Sequence, residues 1–224
     1  MKRISSILTA AVLLVTGSTV FASETGSFGA GVKAGTLGAG VELTYAISPR
    51  LTMGVGINKF STSTTDTTDG IDYDVDLDLK TVAVLANFHP FAGSFRITAG
   101  AMINSNELGM TSTPSGATYN IGGTDYLVAD VGILKAAVDF KRIAPYAGIG
   151  FGHSASSGLG FTLDVGVLMQ GEPQVDFSTI GGNPVVNQDP TFLSNLEQEE
   201  ANAEDDINGF TLYPVISAGI NFRF

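Results

Sequence analysis

The last fifteen residues, 210 to 224, place the strongest constraint on what this chain can fold into. Side chains alternate between the two faces of a strand, so residues two apart share a face. The even positions are almost entirely apolar: Phe210, Leu212, Pro214, Ile216, Ala218, Ile220, Phe222 and Phe224. The odd positions between them are small or polar. The stretch predicts a strand whose continuous apolar face is covered either by a second sheet or by lipid.

The same alternation recurs along the chain and predicts an all-β protein. Further alternating runs cover residues 51–57, 71–88, 95–103 and 159–170. Short turns and long polar loops separate these runs. The chain has no apolar run long enough for a transmembrane helix. A set of strands with lipid on one face and a small or polar face on the other is typical of a transmembrane barrel. We therefore expect a closed antiparallel transmembrane β-barrel.

The number of strands depends on residues 36–38. The apolar parity changes there, which indicates either a turn or a bulge. A turn gives ten strands and a bulge gives eight. Ten is favoured because it gathers the short turns (48–50, 89–93, 141–145 and 171–173) at one end and the long loops at the other.

One segment breaks the strand pattern just before the last strand. Asp189 is suited to cap a helix and Pro190 to begin one. Apolar residues then recur at helical spacing as far as Ile207. We expect one short helix here.

The first residues have the features of an export signal. Lys2 and Arg3 precede a short apolar core, and Val20-Phe21-Ala22 fits a cleavage site. The predicted organisation is a cleaved signal peptide at 1–22 and a barrel at 23–224. The net charge is −11, and cleavage would make it two units more negative, which argues against nucleic-acid binding. The chain has no cysteine, so thiolate metal sites and disulfides are excluded.

Charged residues at positions expected to face the lumen form the first candidate site. They are Arg96, Asp164, Arg223, Glu42 and Lys80. Buried charges must be paired, so they form either a selectivity ring in a channel or a salt-bridged plug. A plug is favoured because a narrow barrel is filled by its side chains.

A ladder of aspartates forms the second candidate site. Asp72, Asp74, Asp76 and Asp78 share one face of a strand. Carboxylate oxygens suit Ca²⁺ or Mg²⁺, and such a site at the extracellular rim would help to hold lipopolysaccharide. However, residues two apart lie about 6.6 Å from each other, so one ion would need ligands from a neighbouring strand. The alternative is a solvated acidic face, and it is favoured.

The histidines give little indication of catalysis. His153 lies beside Ser154, Ser156 and Ser157, which suggests a comparison with barrel enzymes that use a Ser-His pair. Adjacent residues of a strand point to opposite faces, so His153 and Ser154 do not form such a pair. No catalytic residue is predicted.

Four segments resemble a family of uncharacterised proteobacterial outer-membrane barrels: FHPFAGSFRITAG, APYAGIGFG, GFTLDVGVLMQGEPQV and YPVISAGINFRF. They are more distantly similar to OmpA/OmpX- and OmpW-type barrels. Ile220, Phe222 and Phe224 resemble the terminal signal bound by the barrel-assembly machinery. The resemblance implies a monomer in the cell outer membrane, in contact with lipid and lipopolysaccharide. It carries no catalytic residue to this chain.

The expected function is a structural or surface-interaction role in the cell envelope. The alternative is a narrow channel for small or hydrophobic solutes, and a rim hydrolase acting on lipid is the least favoured hypothesis. The ligand, solute or partner is not indicated by the sequence.

Overall fold

The computed structural model describes residues 25–68, 71–113, 118–152 and 158–224. The predicted signal peptide lies outside these residues. The strands are β1 (Phe28–Gly35), β2 (Gly38–Ser48), β3 (Leu51–Thr68), β4 (Ile71–Phe88), β5 (Phe95–Asn104), β6 (Glu107–Thr113), β7 (Thr118–Ile121), β8 (Thr124–Leu127), β9 (Ile133–Asp139), β10 (Ile143–Phe151), β11 (Gly158–Met169), β12 (Gln174–Ile180) and β13 (Leu212–Arg223). The helices are α1 (Val128–Val131), α2 (Pro184–Asn187) and α3 (Pro190–Ile207).

Eight of the described strands close into an antiparallel ring. The order is β1-β2-β3-β4-β5-β10-β11-β13, and β13 returns to pair with β1. The closing pair brings Gly29 opposite Arg223. A ring of this kind satisfies its backbone donors and acceptors without leaving an edge. The all-β barrel predicted from the alternation is confirmed.

The ring holds eight strands in the described residues, rather than the favoured ten. The turn at 36–37 is real, since Gly35 lies opposite Gly38 across it. Two other segments account for the difference. Residues 133–139 and 174–180 form strands β9 and β12, which pair with each other outside the ring.

The same sheet continues beyond one end of the barrel. The second half of β4 pairs with β5 in the ring, whereas its first half pairs with β6. Beyond β6 lie β9 and then β12. We use the name cap for one end of the molecule. It consists of the outer half of the β3–β4 hairpin together with residues 105–142 and 170–211. We call the opposite end, with the turns at 48–50 and 89–94 and the end of β13, the terminal rim.

The turns at 141–145 and 171–173 lie at the cap, not beside those of the terminal rim. Lys141 donates its N–H to the carbonyl of Gln170, which joins the two cap connections. The two cap segments also leave and re-enter the ring between neighbouring strands. The Asn104 N–H donates to the Arg142 carbonyl at 2.7 Å, and the Gly171 N–H to the Thr211 carbonyl at 3.2 Å.

The outward positions of the ring strands carry an exposed apolar surface, which we call the apolar belt. It runs around the barrel on every strand: Val32, Val41, Leu43, Val55, Ile57, Val84, Ile97, Ile103, Ile143, Ile149, Leu159, Phe161, Leu163, Val165, Ile216 and Ile220. Phe161 is 70% exposed. Exposed aromatic side chains gather at the terminal rim, where the rings of Phe28 and Tyr45 lie 4.8 Å apart. No helix in the described ranges is both long and apolar enough to cross a membrane.

The helix expected before the last strand is confirmed as α3. Asp189 caps it by accepting hydrogen bonds from the N–H groups of Thr191 and Phe192. These bonds hold the pKa of Asp189 below its ordinary value. Helix α3 packs along β12, an end strand of the sheet. Glu200 and Glu204 accept the N–H groups of Phe177 and Val175, so the helix satisfies donors that β12 would otherwise expose.

Candidate functional site

An ion pair joins β5 to β11 across the inner face of β10. Arg96 Nη2 lies 2.6 and 2.8 Å from the two carboxylate oxygens of Asp164. Arg96 Nη1 donates to the Gly152 carbonyl at 2.8 Å, and Arg96 is 8% exposed. Strand β10 lies between the two partners, and its Gly150 faces Arg96 on one side and Asp164 on the other. A β-carbon at Gly150 would lie 2.6 Å from Arg96 Nε, so glycine leaves the space that the pair needs.

A second ion pair joins β1 to β2. Lys33 Nζ lies 2.9 Å from Glu42 Oε2, and both side chains are partly buried. Glu42 is one of the predicted lumen charges, but its partner was not. The alternation of β1 places Lys33 opposite the apolar side that carries Val32, and that parity was the signal that could have identified it.

Lys80 does not belong to the lumen. It alternates with buried Leu79 and Thr81 and is exposed, so it lies on the outward face of β4. Its cross-strand partner on β3 is Lys59. The pair of residues nearer the terminal rim on the same face is Ile57 and Val82, so the two lysines border the apolar belt.

Arg223 lies on the inward face of β13 and is buried. It lines the same small space as Arg96, Asp164 and His89. His89, in the turn between β4 and β5, bonds the Gly93 carbonyl through Nδ1. Its burial, helped by the positive charges of Arg96 and Arg223, lowers the pKa of His89 below the ordinary 6.5.

In the part of the chain that the structure describes, side chains fill most of the lumen. Nearer the cap, buried apolar side chains form one cluster: Leu37, Ala83, Leu85, Met102, Ala144, Tyr146, Leu168 and Val215. One space of about 30 Å³ lies between this cluster and the ion pairs, and a second of about 40 Å³ lies nearer the terminal rim. Each space holds one or a few water molecules at most. The arrangement is that of a plugged barrel.

The aspartate ladder lies on the outward face of the cap. Asp76 accepts a hydrogen bond from Ser63 at 2.5 Å, and Asp74 accepts one from Thr65 at 3.0 Å. The opposing strand thus supplies hydroxyl groups to the ladder. Across residues 25–68, 71–113, 118–152 and 158–224, no three His, Cys, Asp or Glu side chains are placed to hold one metal ion.

The predicted assembly residues lie together on the outward face at the end of β13. Ile220, Phe222 and Phe224 are all exposed, and the rings of the two phenylalanines lie 5.1 Å apart. His153 and the serines beside it lie outside the described residues.

Sequence reasoning missed an apolar cavity inside the cap. It measures about 410 Å³ and lies between α3 and the inward faces of β4, β6, β9 and β12. Two amide side chains, Asn106 and Gln170, reach it from the mouth of the ring. Nothing in the sequence indicated that the cap would surround a space above them.

The fold and its exposed belt define a small antiparallel β-barrel with an occluded lumen. Two solved structures are similar to it. Acinetobacter baumannii CarO2 has a TM-score of 0.57 and 24% identity, covering 90% of this chain and 100% of that chain. Acinetobacter baumannii CarO has a TM-score of 0.54 and 24% identity, covering 88% of this chain and 97% of that chain.

These likenesses show the fold. The more distant resemblance to OmpA/OmpX- and OmpW-type barrels stays a prediction. No protein-family model and no curated protein matches the sequence.

Proposed function

We propose that this chain is an integral outer-membrane barrel with a structural or surface-interaction role, carried by the cap, and that it does not conduct solutes. The apolar belt is the observation that carries the location. Soluble monomers rarely expose a continuous apolar surface of this extent. The ring strands β2, β5, β10 and β11 have nine to twelve residues, and about nine to eleven suffice to cross a membrane as a tilted strand.

The position of the long segments supports an orientation with the cap outside the cell. Outer-membrane barrels have short periplasmic turns and longer extracellular loops. Here the turns at 48–50 and 89–94 are short, and both lie at the terminal rim. The cap holds both long segments, 105–142 and 170–211.

The positions of Lys59 and Lys80 support the proposal that the cap end of the barrel contacts anionic lipid. Like charges directly opposite each other on neighbouring strands repel. These two lie at the boundary between the apolar belt and the polar outward face of the cap. A phosphate of lipopolysaccharide placed between them would relieve the repulsion. The barrel-assembly machinery remains the expected partner of the terminal residues, and a monomer the expected state.

The filled lumen favours a non-conducting role over the narrow channel. Transport through the ring would require the apolar cluster around Tyr146 to separate and the pair of Arg96 and Asp164 to break. No catalytic role is proposed. In a rim hydrolase, residues around His153 would have to supply the catalytic groups. Lipid turnover by the folded protein in vesicles tests that alternative directly.

Cysteine labelling tests the location and orientation, because the chain has no cysteine of its own. We expect a membrane-impermeant maleimide to label Ser178→Cys, on the cap, in intact cells. The matched variant Arg50→Cys, at the terminal rim, should be labelled only after lysis. The folded protein should also resist SDS at room temperature and migrate differently after boiling. Equal labelling of both variants in intact cells would refute the orientation, and steady currents in planar bilayers would refute the closed lumen.

A further inference from the structure

We infer that the outer part of β3 is a docking site for an extended segment of a partner protein, which adds to the sheet as an antiparallel strand with basic side chains on its outward face. The site is residues 60–65, which we call the open edge. It lies beyond Lys59, whose pairing with Ala39 is the last between β3 and β2. The inference rests on the proposed surface-interaction role and names the kind of partner that the cap would bind.

The open edge has a neighbouring strand on one side only. β3 pairs with β4 along its whole length, whereas β2 begins at Gly38 and pairs no further than Lys59. In the described part of the chain, no other strand pairs with residues 60–65, and no element besides β2 and β4 packs along β3. Residues 61–65 are all exposed, including those on the inward side. The backbone of the open edge is therefore accessible to an added strand.

The opposite end of the same sheet is shielded. Helix α3 covers β12, and its Glu200 and Glu204 accept N–H groups of that strand. An exposed strand edge is a template for pairing with another chain, and proteins normally cover it. The cap covers one of its end strands and leaves the other open, which indicates that the open one binds a partner.

The hydrogen bonds of Lys80 show which backbone groups point out of the open edge. Its N–H donates to the Asn106 side chain and its carbonyl accepts the Ser105 N–H, both at 2.9 Å. Lys80 thus directs both backbone groups away from β3, where it lies opposite Lys59. Opposed residues of an antiparallel pair are alternately bonded and unbonded, so this pair is an unbonded one and Lys59 points its backbone groups away from β4.

The same alternation applies to the residues that follow. Ser61, Ser63 and Thr65 come at steps of two from Lys59, so each points its N–H and carbonyl at the open edge. Their side chains lie on the outward face, with the aspartate ladder of β4 opposite them. Residues paired directly across an antiparallel ladder share a face of the sheet. An added strand would therefore bond to the open edge through the residues whose side chains point outward.

The aspartate ladder is turned toward the open edge and selects a basic partner. Ser63 donates to the Asp76 carboxylate at 2.5 Å, and Thr65 donates to that of Asp74 at 3.0 Å. An added strand would lie about 10 Å from β4, two strand spacings away, within reach of a lysine or arginine side chain that extends across β3. Complementary charge therefore favours basic residues on the outward face of the partner.

The inward side of the open edge suits an apolar side chain. Phe60 faces inward opposite the buried Leu79, yet it is 44% exposed, because β2 does not extend far enough to cover it. An added strand would cover this ring. The expected segment thus alternates basic and apolar residues, as in the addition of a peptide strand to an exposed sheet edge.

A second copy of this chain fits the open edge poorly. Two barrels inserted with the same orientation in one membrane direct their β3 strands to the same side, so their open edges cannot pair antiparallel. Each chain also has a net charge of −11, and juxtaposed like charges disfavour association. The occupant that the edge and its charge favour is a different protein.

Peptide binding tests the open edge independently of where the barrel resides. The probe is a short fluorescent peptide of alternating lysine and valine, titrated against the protein refolded in nanodiscs of zwitterionic lipid. We expect a saturable rise in anisotropy, which empty nanodiscs and a peptide of alternating glutamate and valine should not give. Equal binding of the two peptides would refute the inference. Absence of binding to a barrel that passes the cysteine-labelling test would refute this inference alone and leave the proposed location intact.

Methylation of the peptide backbone separates strand pairing from attraction between charges. In the antiparallel arrangement the lysines lie outward and direct their backbone N–H groups at β3. Methylating these nitrogens should weaken binding at least about tenfold, because several hydrogen bonds are lost. Methylating the valine nitrogens instead should leave the affinity unchanged, and the charge is the same in both peptides. Equal affinities, or a loss confined to methylated valines, would overturn this mode of docking.

Ser63→Pro tests the edge from the side of the protein. Proline removes an N–H that points away from β4, and edge strands tolerate it there. The variant should fold, as shown by heat-dependent migration in SDS, and should bind the lysine peptide at least about tenfold more weakly. Full affinity in the folded variant would refute the site, and the methylated peptides decide the question if it does not fold. A dimer in detergent that Ser63→Pro dissociates would assign the edge to a second copy and overturn the proposal.

The contribution of charge is tested by a matched pair of double variants. Asp74→Asn with Asp76→Asn should weaken binding of the lysine peptide at least about threefold. Asp205→Asn with Asp206→Asn makes the same change in net charge at exposed positions of α3 and should leave the affinity unchanged. Equal losses in the two double variants would show that the ladder does not select the partner.

Discussion

The pair of Arg96 and Asp164 should govern the stability of the barrel, and a double-mutant cycle measures its contribution. Arg96→Ala removes the cation that is hydrogen-bonded to the Asp164 carboxylate and also removes the bond to the Gly152 carbonyl. Breaking a buried pair by removing one partner costs about 3–5 kcal/mol. Because Arg96 is 8% and its partner's side chain 18% exposed, we expect a loss of about 4 kcal/mol.

Asp164→Asn keeps the size of the side chain and one carbonyl oxygen for Arg96. We therefore expect a smaller loss, about 2 kcal/mol. Once Arg96 is absent, the same substitution removes an uncompensated charge and should restore stability. The double variant should thus lose about 3 kcal/mol, less than Arg96→Ala alone and about 3 kcal/mol less than the sum of the two single losses, within the range seen for contacting residues.

The free energy of unfolding is measured by urea titration of the protein refolded in lipid vesicles, followed by gel mobility. Asp76→Asn, an exposed change of the same chemistry in the cap, is the matched control and should shift stability by less than about 0.5 kcal/mol. Additive losses for Arg96→Ala and Asp164→Asn would show that the two groups do not interact. If Asp76→Asn lowered the free energy of unfolding as much as Asp164→Asn does, burial of Asp164 would not explain the loss of stability.

Three further predictions concern single positions. Gly150→Val should destabilise the barrel by about 2 kcal/mol or more, because its side chain needs the space of the ion pair; equal urea midpoints for wild type and variant would contradict this. His89 has a lowered pKa, so the unfolded chain binds its proton first and stability should fall as pH drops below 6.5. His89→Gln should remove that part of the pH dependence in urea titrations. An unchanged slope of unfolding free energy against pH would show that His89 is not its source. Deletion of Phe224 should lower the amount of barrel in the membrane without reducing synthesis, and normal levels on immunoblots would contradict its role in assembly.

The barrel was predictable because its environment imposes a simple rule on the sequence. Every second residue of a ring strand faces outward into the apolar belt, so the alternation in β13 is sufficient to indicate both the strand and its apolar face. The helix was predictable from Asp189 and Pro190, whose roles are local. Neither inference required knowledge of which strands pair.

The position of Lys80 was not predictable, because β4 crosses two environments without a bulge. In the cap, the odd positions from Tyr73 to Leu79 are apolar and face the interior. In the ring, the even positions Val82 and Val84 are apolar and face outward. The register with β3 is continuous across this change. The outward face of β4 is therefore acidic in the cap and apolar in the ring. From sequence alone, the switch of apolar parity placed Lys80 inward.

The favoured count of ten strands differs from the eight of the described ring for a related reason. Strands β9 and β12 alternate as ring strands do, since their inward sides pack in a core of the cap around Phe192 and Leu134. Their true position depends on the pairing of β4 with β6, which is a long-range contact. The apolar cavity depends on the same contacts and therefore left no local signal.

The places where the cap joins the ring give the molecule a modular construction. Residues 104 and 142 are hydrogen-bonded neighbours, as are 171 and 211, so each intervening segment begins and ends at the same point of the wall. A short hairpin could replace either segment without altering any ring pairing. The barrel can therefore keep its strand pairing while the surface segments attached to it are exchanged. We expect sequence change and grafted peptides to be tolerated there, far more readily than in the wall itself.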